Sequence, residues 1–267
     1  MKYTLKTIHE KDLILFKEFL KICKKNKLEY YAIGGTFLGA IRHKGFIPWD
    51  DDMDIAMPRE DFNKFVEIAN KELPKNIKLI TFENDKDYRY YIPRLIDLNA
   101  KINEVNSKKE ENIFIDIFPI DGTPNNSILR KVYYFRVLLN RMLISYYYSD
   151  EINSNRKRKL YEKVLIVIGK ILPTKLLINP KKRLKKIDKL LRNNNYNNSK
   201  YVGTIMGAYR TREIVPKHYF GKPTKYDFEG LKIYGPEKYD EYLHHMYGDY
   251  MKIPENKNEN QHLDYQK

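Results

Sequence analysis

The chain has 267 residues and 42% hydrophobic content, enough for one large domain or a core domain with a helical appendage, and too apolar for a disordered protein. Its single cysteine excludes an internal disulfide framework and a cysteine-built zinc site, and fits a reducing, cytoplasmic setting. Net charge is +15, with fourteen Lys or Arg against Glu162 and Asp188 between Arg156 and Arg192, a block suited to phosphate-bearing partners, either nucleic acid or an anionic membrane face.

Met1 to Lys27 mixes charged and apolar residues, unlike a signal peptide, and no stretch reaches the roughly eighteen apolar residues of a membrane span. The spacing predicts an amphipathic helix over 9–26, with Leu13, Phe16, Leu20 and Cys23 on one face, so Cys23 reads as a buried structural thiol. Tyr30 to Ile33 then reads as a short strand. Gly34 and Gly35 permit a sharp turn, and Thr36 is expected to cap a helix beginning at Phe37. A helix start after glycines exposes N–H groups and the positive dipole end to an anion. Arg42, His43 and Lys44 add cationic groups at its other end, with Arg42 and His43 as auxiliary phosphate contacts.

Four carboxylates follow, Asp50, Asp51, Asp52 and Asp54. On a strand, Asp52 and Asp54 share a face about 7 Å apart while Met53 and Ile55 point into the core. Acids so crowded repel one another unless a cation sits among them, and oxygen-seeking Mg²⁺ prefers to be shared with substrate phosphates. Phosphates at a helix start beside a metal on the next strand describe phosphoryl or nucleotidyl transfer. Asp50 and Asp51 are expected to support this pair or simply to precede the strand.

Further along, a third helix is predicted over 59–70, followed by strands over 77–82, 90–98, 100–105 and 113–118 and a charged loop at 108–111. Asp116 lies among apolar neighbours, a costly position unless it meets a cation or a hydrogen bond. Asp121 before Gly122 reads as a turn residue, and Arg94 as either a phosphate contact or an exposed sheet-edge side chain. Helices are expected over 128–148, 157–172 and from Pro180 through Leu191, as a packed basic subdomain or as a surface laid against anionic lipid. A hairpin around 226–233, a short helix from Pro236 to Tyr247 and a mobile tail after Pro254 complete the chain. The pattern is α+β.

The stretch GGTFLGAIRHKGFIPWDDDMDI, with IDIFPIDGTP and FGKPTKYDFEG…YGPEKYDEYLHHMYGDYM downstream, resembles the signature of the LicD family of phosphocholine transferases, relatives of fukutin-related protein. The resemblance implies a nucleotidyltransferase-like mixed sheet with flanking helices and a helical insertion. Residues 1–126 would form the catalytic core, 127–200 the basic helical region, and 201–267 a hairpin and helix completing the domain. It places Asp116 beside Asp52 and Asp54 as a third carboxylate, so that these three are the catalytic and metal-binding residues. Gly34, Gly35, Thr36, Arg42 and His43 would then bind substrate.

The implied cofactor is Mg²⁺, with Mn²⁺ as a substitute, and the implied donor CDP-choline or a related CDP compound. The acceptor would be a hydroxyl of a lipid-linked or polymeric glycan, a teichoic acid, lipopolysaccharide or capsule precursor, reached by peripheral contact with the inner membrane face. Transfer of another polyol phosphate, or nucleotidyl transfer to a small molecule or RNA, uses the same motif. Nucleic-acid binding through the basic block is not expected, because no recognised binding motif accompanies the charge.

Overall fold

The computed structural model describes residues 3–103, 110–148, 177–254 and 263–265. Helix α1 (Leu5–Asn26) is capped by the Thr4 hydroxyl and ends at left-handed Lys27. It leads into β1 (Tyr31–Ala32), α2 (Gly34–Arg42), β2 (Asp54–Pro58), α3 (Arg59–Glu72) and β3 (Ile77–Ile80). Then come β4 (Arg94–Asn103), β5 (Glu110–Gly122), α4 (Ser127–Tyr147) and α5 (Pro180–Arg192). The last elements are β6 (Tyr201–Gly203), a 3-10 turn (Arg210–Glu213), β7 (Ile214–Pro216), α6 (Lys217–Phe220), the hairpin β8 (Thr224–Phe228) and β9 (Leu231–Gly235), and α7 (Tyr239–Tyr247).

The main sheet runs β1-β2-β5-β4-β3, with β6 and β7 added at the far end of β5. Only β2 and β5 pair in parallel among the described strands. Side chains alternate along β5: Ile113, Ile115 and Ile117 are buried, while Phe114, Asp116 and Phe118 stand half-exposed on the opposite face. Ile115 and Ile117 share the principal core with Phe16 and Phe19 of α1 and Phe62 and Phe65 of α3. Burial of each such side chain contributes roughly 1.5–3 kcal/mol before entropy is counted. Residues after 200 join the same core through Val202, Val215, Phe220 and Leu243.

The structure corrects several expectations. The two strands expected over 90–105 are one strand, β4, with an irregularity between Ile96 and Lys101. Glu110 and Glu111, expected in a loop, begin β5. Asp121 is no turn residue. It is fully buried and receives Arg59 in a two-pronged pair, Nε to Oδ1 and Nη2 to Oδ2, both at 2.6 Å. Tyr91 and Asp188 extend this network to α5. The tail is not wholly loose: Leu263 is buried beside Ile8 and Ile102, and its N–H donates to Asp51 Oδ2 at 2.7 Å.

The basic helix α5 turns Leu184, Ile187, Leu190 and Leu191 inward onto Tyr133, Tyr134 and Val137 of α4. Its apolar face is therefore used inside the fold, leaving the lysines toward solvent. The apolar exposure lies instead on α4, where Ile128, Val132, Phe135, Leu139 and Met142 recur at helical spacing on the outer side. The helix expected over 157–172 lies outside the described residues. Among the described residues no helix is long and apolar enough to cross a membrane.

Candidate active site

The site forms where the glycine turn before α2 meets the start of β2. Helix α2 begins at Gly34, not Phe37, and at this turn Gly34 takes a left-handed φ of +58° that a Cβ would resist. Ile33 is the residue before the first turn and offers no side-chain cap. Thr36 therefore does not cap the helix as expected. Buried, its hydroxyl accepts the Asp54 N–H at 2.8 Å and pins α2 to β2.

Two carboxylates lie against the glycines. A Cβ on Gly34 would stand 2.6 Å from Asp54 Oδ2, and one on Gly35 would overlap the Asp50 carboxylate. Only glycine at both positions lets backbone and acids approach so closely. Asp52 hydrogen-bonds the Asp50 carboxyl, whereas Asp51 turns away to Leu263. Across the parallel strand pair, Asp54 is the register partner of Asp116, and across the antiparallel pair Asp116 is the partner of Arg94. Arg94 donates from Nε to Asp116 at 3.1 Å and from Nη1 to Glu111 at 2.6 Å, with its guanidinium stacked over Phe114. It is an interior cross-strand partner, not an exposed edge residue.

The electrostatics follow from the crowding. Burial, then the charges of Asp52 and Asp51, push Asp50 up to about 8. Burial, then Asp52, Asp116, Asp50 and Glu213, push Asp54 well above the ordinary carboxylate range. Anionic groups packed this tightly favour binding either protons or a cation. Hard oxygen donors of this kind suit Mg²⁺. Among the described residues no three His, Cys, Asp or Glu side chains already stand as a complete ligand set. An ion that completes its shell with substrate phosphate oxygens does not need one.

Of the expected substrate contacts, Gly34 and Gly35 line this site. Arg42 has a structural task, since Nη1 donates to the Tyr250 carbonyl at 2.9 Å and the guanidinium lies 5.9 Å from the Trp49 ring centroid. His43 meets Trp49 edge-on at 5.9 Å. Sequence reading missed Tyr242, which hydrogen-bonds the Gly34 backbone, and Glu213, whose charge reaches Asp54. A lone Tyr in a tyrosine-rich helix carried no signal for that role. Neither did Glu213, which reads as a surface charge between Arg212 and Ile214.

A helix start with glycines thus stands beside a cluster of four aspartates on a mixed sheet, the arrangement expected where a phosphate and a cation are held together. Residues 27–141 match the family model described as the LicD/FKTN/FKRP nucleotidyltransferase domain. The chain is 30% identical to the lipopolysaccharide cholinephosphotransferase LicD of Haemophilus influenzae, over 96% of both chains. It is also 44% identical over 116 residues to an uncharacterised protein of Rickettsia typhi, 43% of this chain and 35% of that one. The protein belongs to the LicD family.

Proposed function

We propose that this enzyme transfers phosphocholine from CDP-choline to a hydroxyl of a lipopolysaccharide or related cell-surface glycan precursor, at the cytoplasmic face of the membrane. The observation that supports it most is the cluster of Asp50, Asp52, Asp54 and Asp116 against Gly34 and Gly35, in a chain similar end to end to a cholinephosphotransferase.

Asp52, Asp54 and Asp116 would hold Mg²⁺, or Mn²⁺ in its place. Such an ion supplies charge neutralisation for the donor diphosphate and for the departing nucleotide. The glycine turn presents backbone N–H groups to a phosphate without side-chain obstruction. Tyr242 fixes that turn and Thr36 fixes its distance from Asp54, so the two halves of the site keep their spacing. Arg94 orients the Asp116 carboxylate, which accepts the proton of the attacking hydroxyl. The exposed apolar row on α4, flanked by Lys131 and Arg136, is the surface proposed to meet anionic lipid bearing the acceptor.

The test is incubation with Mg²⁺ and a panel of CDP donors. Release of CMP from CDP-choline above the other donors is the expected result. CMP chiefly from a CDP-polyol would reassign the transferred group, and pyrophosphate formed from CTP or ATP would overturn the reading in favour of nucleotidyl transfer.

A further inference from the structure

The acids that face the glycine turn are held from behind. Asp50 to Met53 precede β2, so the strand's own ladder does not fix them. Their anchors come from distant elements. His9 of α1 meets the Asp50 carbonyl through Nε2 at 2.8 Å, and Asp116 of β5 donates its N–H to the Met53 carbonyl at 2.9 Å. Between those two points the chain carries Asp51 and Asp52, whose side chains part. Asp52 reaches the Asp50 carboxyl in the site, whereas Asp51 points inward and is 1% exposed.

Behind this loop stands the C-terminal segment. Leu263 donates its N–H to Asp51 Oδ2 at 2.7 Å, across 212 positions of sequence. The donor is itself firmly seated. Leu263 is buried with Ile8 of α1, Ala100 and Ile102 of β4 and Ile113 of β5, and Tyr265 packs against the same cluster. The next N–H, that of Asp264, donates to the carbonyl of Asn103 at the end of β4, at 2.8 Å.

A buried carboxylate without a hydrogen bond is costly, and a bond from an N–H to a carboxylate is among the stronger ones. With that bond in place, Asp51 is stable facing inward. Without it, Asp51 gains by swinging toward water. Asp51 shares peptide units with Asp50 and Asp52, so neither neighbour would then keep its place. Repulsion among the crowded acids also pushes this loop outward until a cation binds, and an anchor behind it resists that drift.

We propose that the Leu263–Asp51 bond is a clasp through which the C-terminal segment positions Asp52 for the divalent cation. Asp51 and the Leu263 N–H are positioning groups here, and neither is a ligand. The proposal rests on the transferase reading for what the cation is used for. It ties the last residues of the chain to the metal affinity of a site built almost wholly from its first half.

The test is calorimetric titration of the metal-free full chain with Mn²⁺, beside its melting temperature and CMP release from CDP-choline over a range of Mg²⁺. Groups that orient metal ligands are worth about ten- to a hundredfold in affinity. Leu263→Pro deletes the N–H, and should weaken Mn²⁺ about tenfold or more. It should raise the Mg²⁺ needed for half-maximal release by the same factor, with the rate at saturating Mg²⁺ near the parent's. Leu263→Ala keeps the N–H but loses packing, so it should lower the melting temperature and bind Mn²⁺ as the parent does. Should Leu263→Pro fail to fold, the acceptor end carries the test. Asp51→Ala should weaken Mn²⁺ about tenfold, and Asp51→Asn, which keeps an acceptor oxygen, should recover most of that loss. Parental Mn²⁺ affinity in Leu263→Pro, equal losses in the two Leu263 variants, or equal affinities in the two Asp51 variants overturns the clasp. So does a parent that binds no Mn²⁺. Clasp-dependent Mn²⁺ binding without CMP release from any donor would leave the clasp standing and remove the transferase reading.

Discussion

Asp54 and Asp116 are direct register partners across the parallel β2–β5 pair, so two carboxylates from distant parts of the chain meet at adjacent strand positions. Like charges set opposite each other in a sheet are destabilising. Arg94 offsets part of this from the far side of Asp116. Asp54 keeps a raised proton affinity, chiefly from burial and then from Asp52 and Asp116.

Replacing Asp52 or Asp54 with Asn should lower CMP release by at least about a hundredfold, because a charged donor is lost where phosphate charge must be balanced. Removing one of several mutually repelling charges should leave the melting temperature equal or higher. Parental turnover in either variant would refute the metal assignment.

The Arg59–Asp121 pair is a fold element. Both groups are buried, and removing one partner leaves an uncompensated charge. Asp121→Ala should cost about 3–5 kcal/mol of stability in urea titration. Removing the exposed Asp227, which pairs with Lys232 in the hairpin, should leave the midpoint where it was. Equal midpoints for the two variants would contradict the burial argument.

His9 provides a pH test. Stacked on Phe46 at 4.0 Å with Nε2 at 2.8 Å from the Asp50 carbonyl, it has its pKa lowered from 6.5, chiefly by burial. The unfolded state then binds the proton more readily than the folded state. The contribution is present above pH 6.5 and is lost as pH falls below it. The difference in stability between parent and His9→Gln should therefore shrink between pH 7 and pH 5, as read by thermal melts. A constant difference would show that the ring titrates normally.

The apolar row on α4 makes a prediction about lipid. Val132→Asp with Phe135→Asp should reduce co-sedimentation with anionic vesicles several-fold while leaving turnover on a water-soluble acceptor unchanged. Replacing lysines on α5 should weaken binding less and make it less salt-sensitive. Undiminished sedimentation of the double variant would exclude this face.

Much of the site was legible because it is local. Gly34, Gly35 and the aspartate run fall within a short stretch of chain, and the structure brings Asp50 and Asp54 against the two glycines. Thr36 was misread because its position suits a cap, and only tertiary structure reveals that Asp54 N–H lies within reach of its hydroxyl. Asp121 was misread because Asp-Gly favours turns, and its partner Arg59 lies far off in sequence at a helix start. Glu213 left no local trace, since the acid it acts on, Asp54, is contributed by a strand far away in the sequence. The basic helix α5 was correctly placed, but which apolar face it would cover could not be read before α4 was seen to supply it.

The insertion of β3 and β4 between β2 and β5 in the sequence has a consequence for assembly. Neighbouring segments can coil, pair and collapse while Asp54 and Asp116 are still strangers, because the join between them closes a long loop. The β2–β5 pairing is therefore a gauge of completeness. A partly matured chain can bring the glycine turn to the first aspartates and still lack the pairing of Asp54 with Asp116.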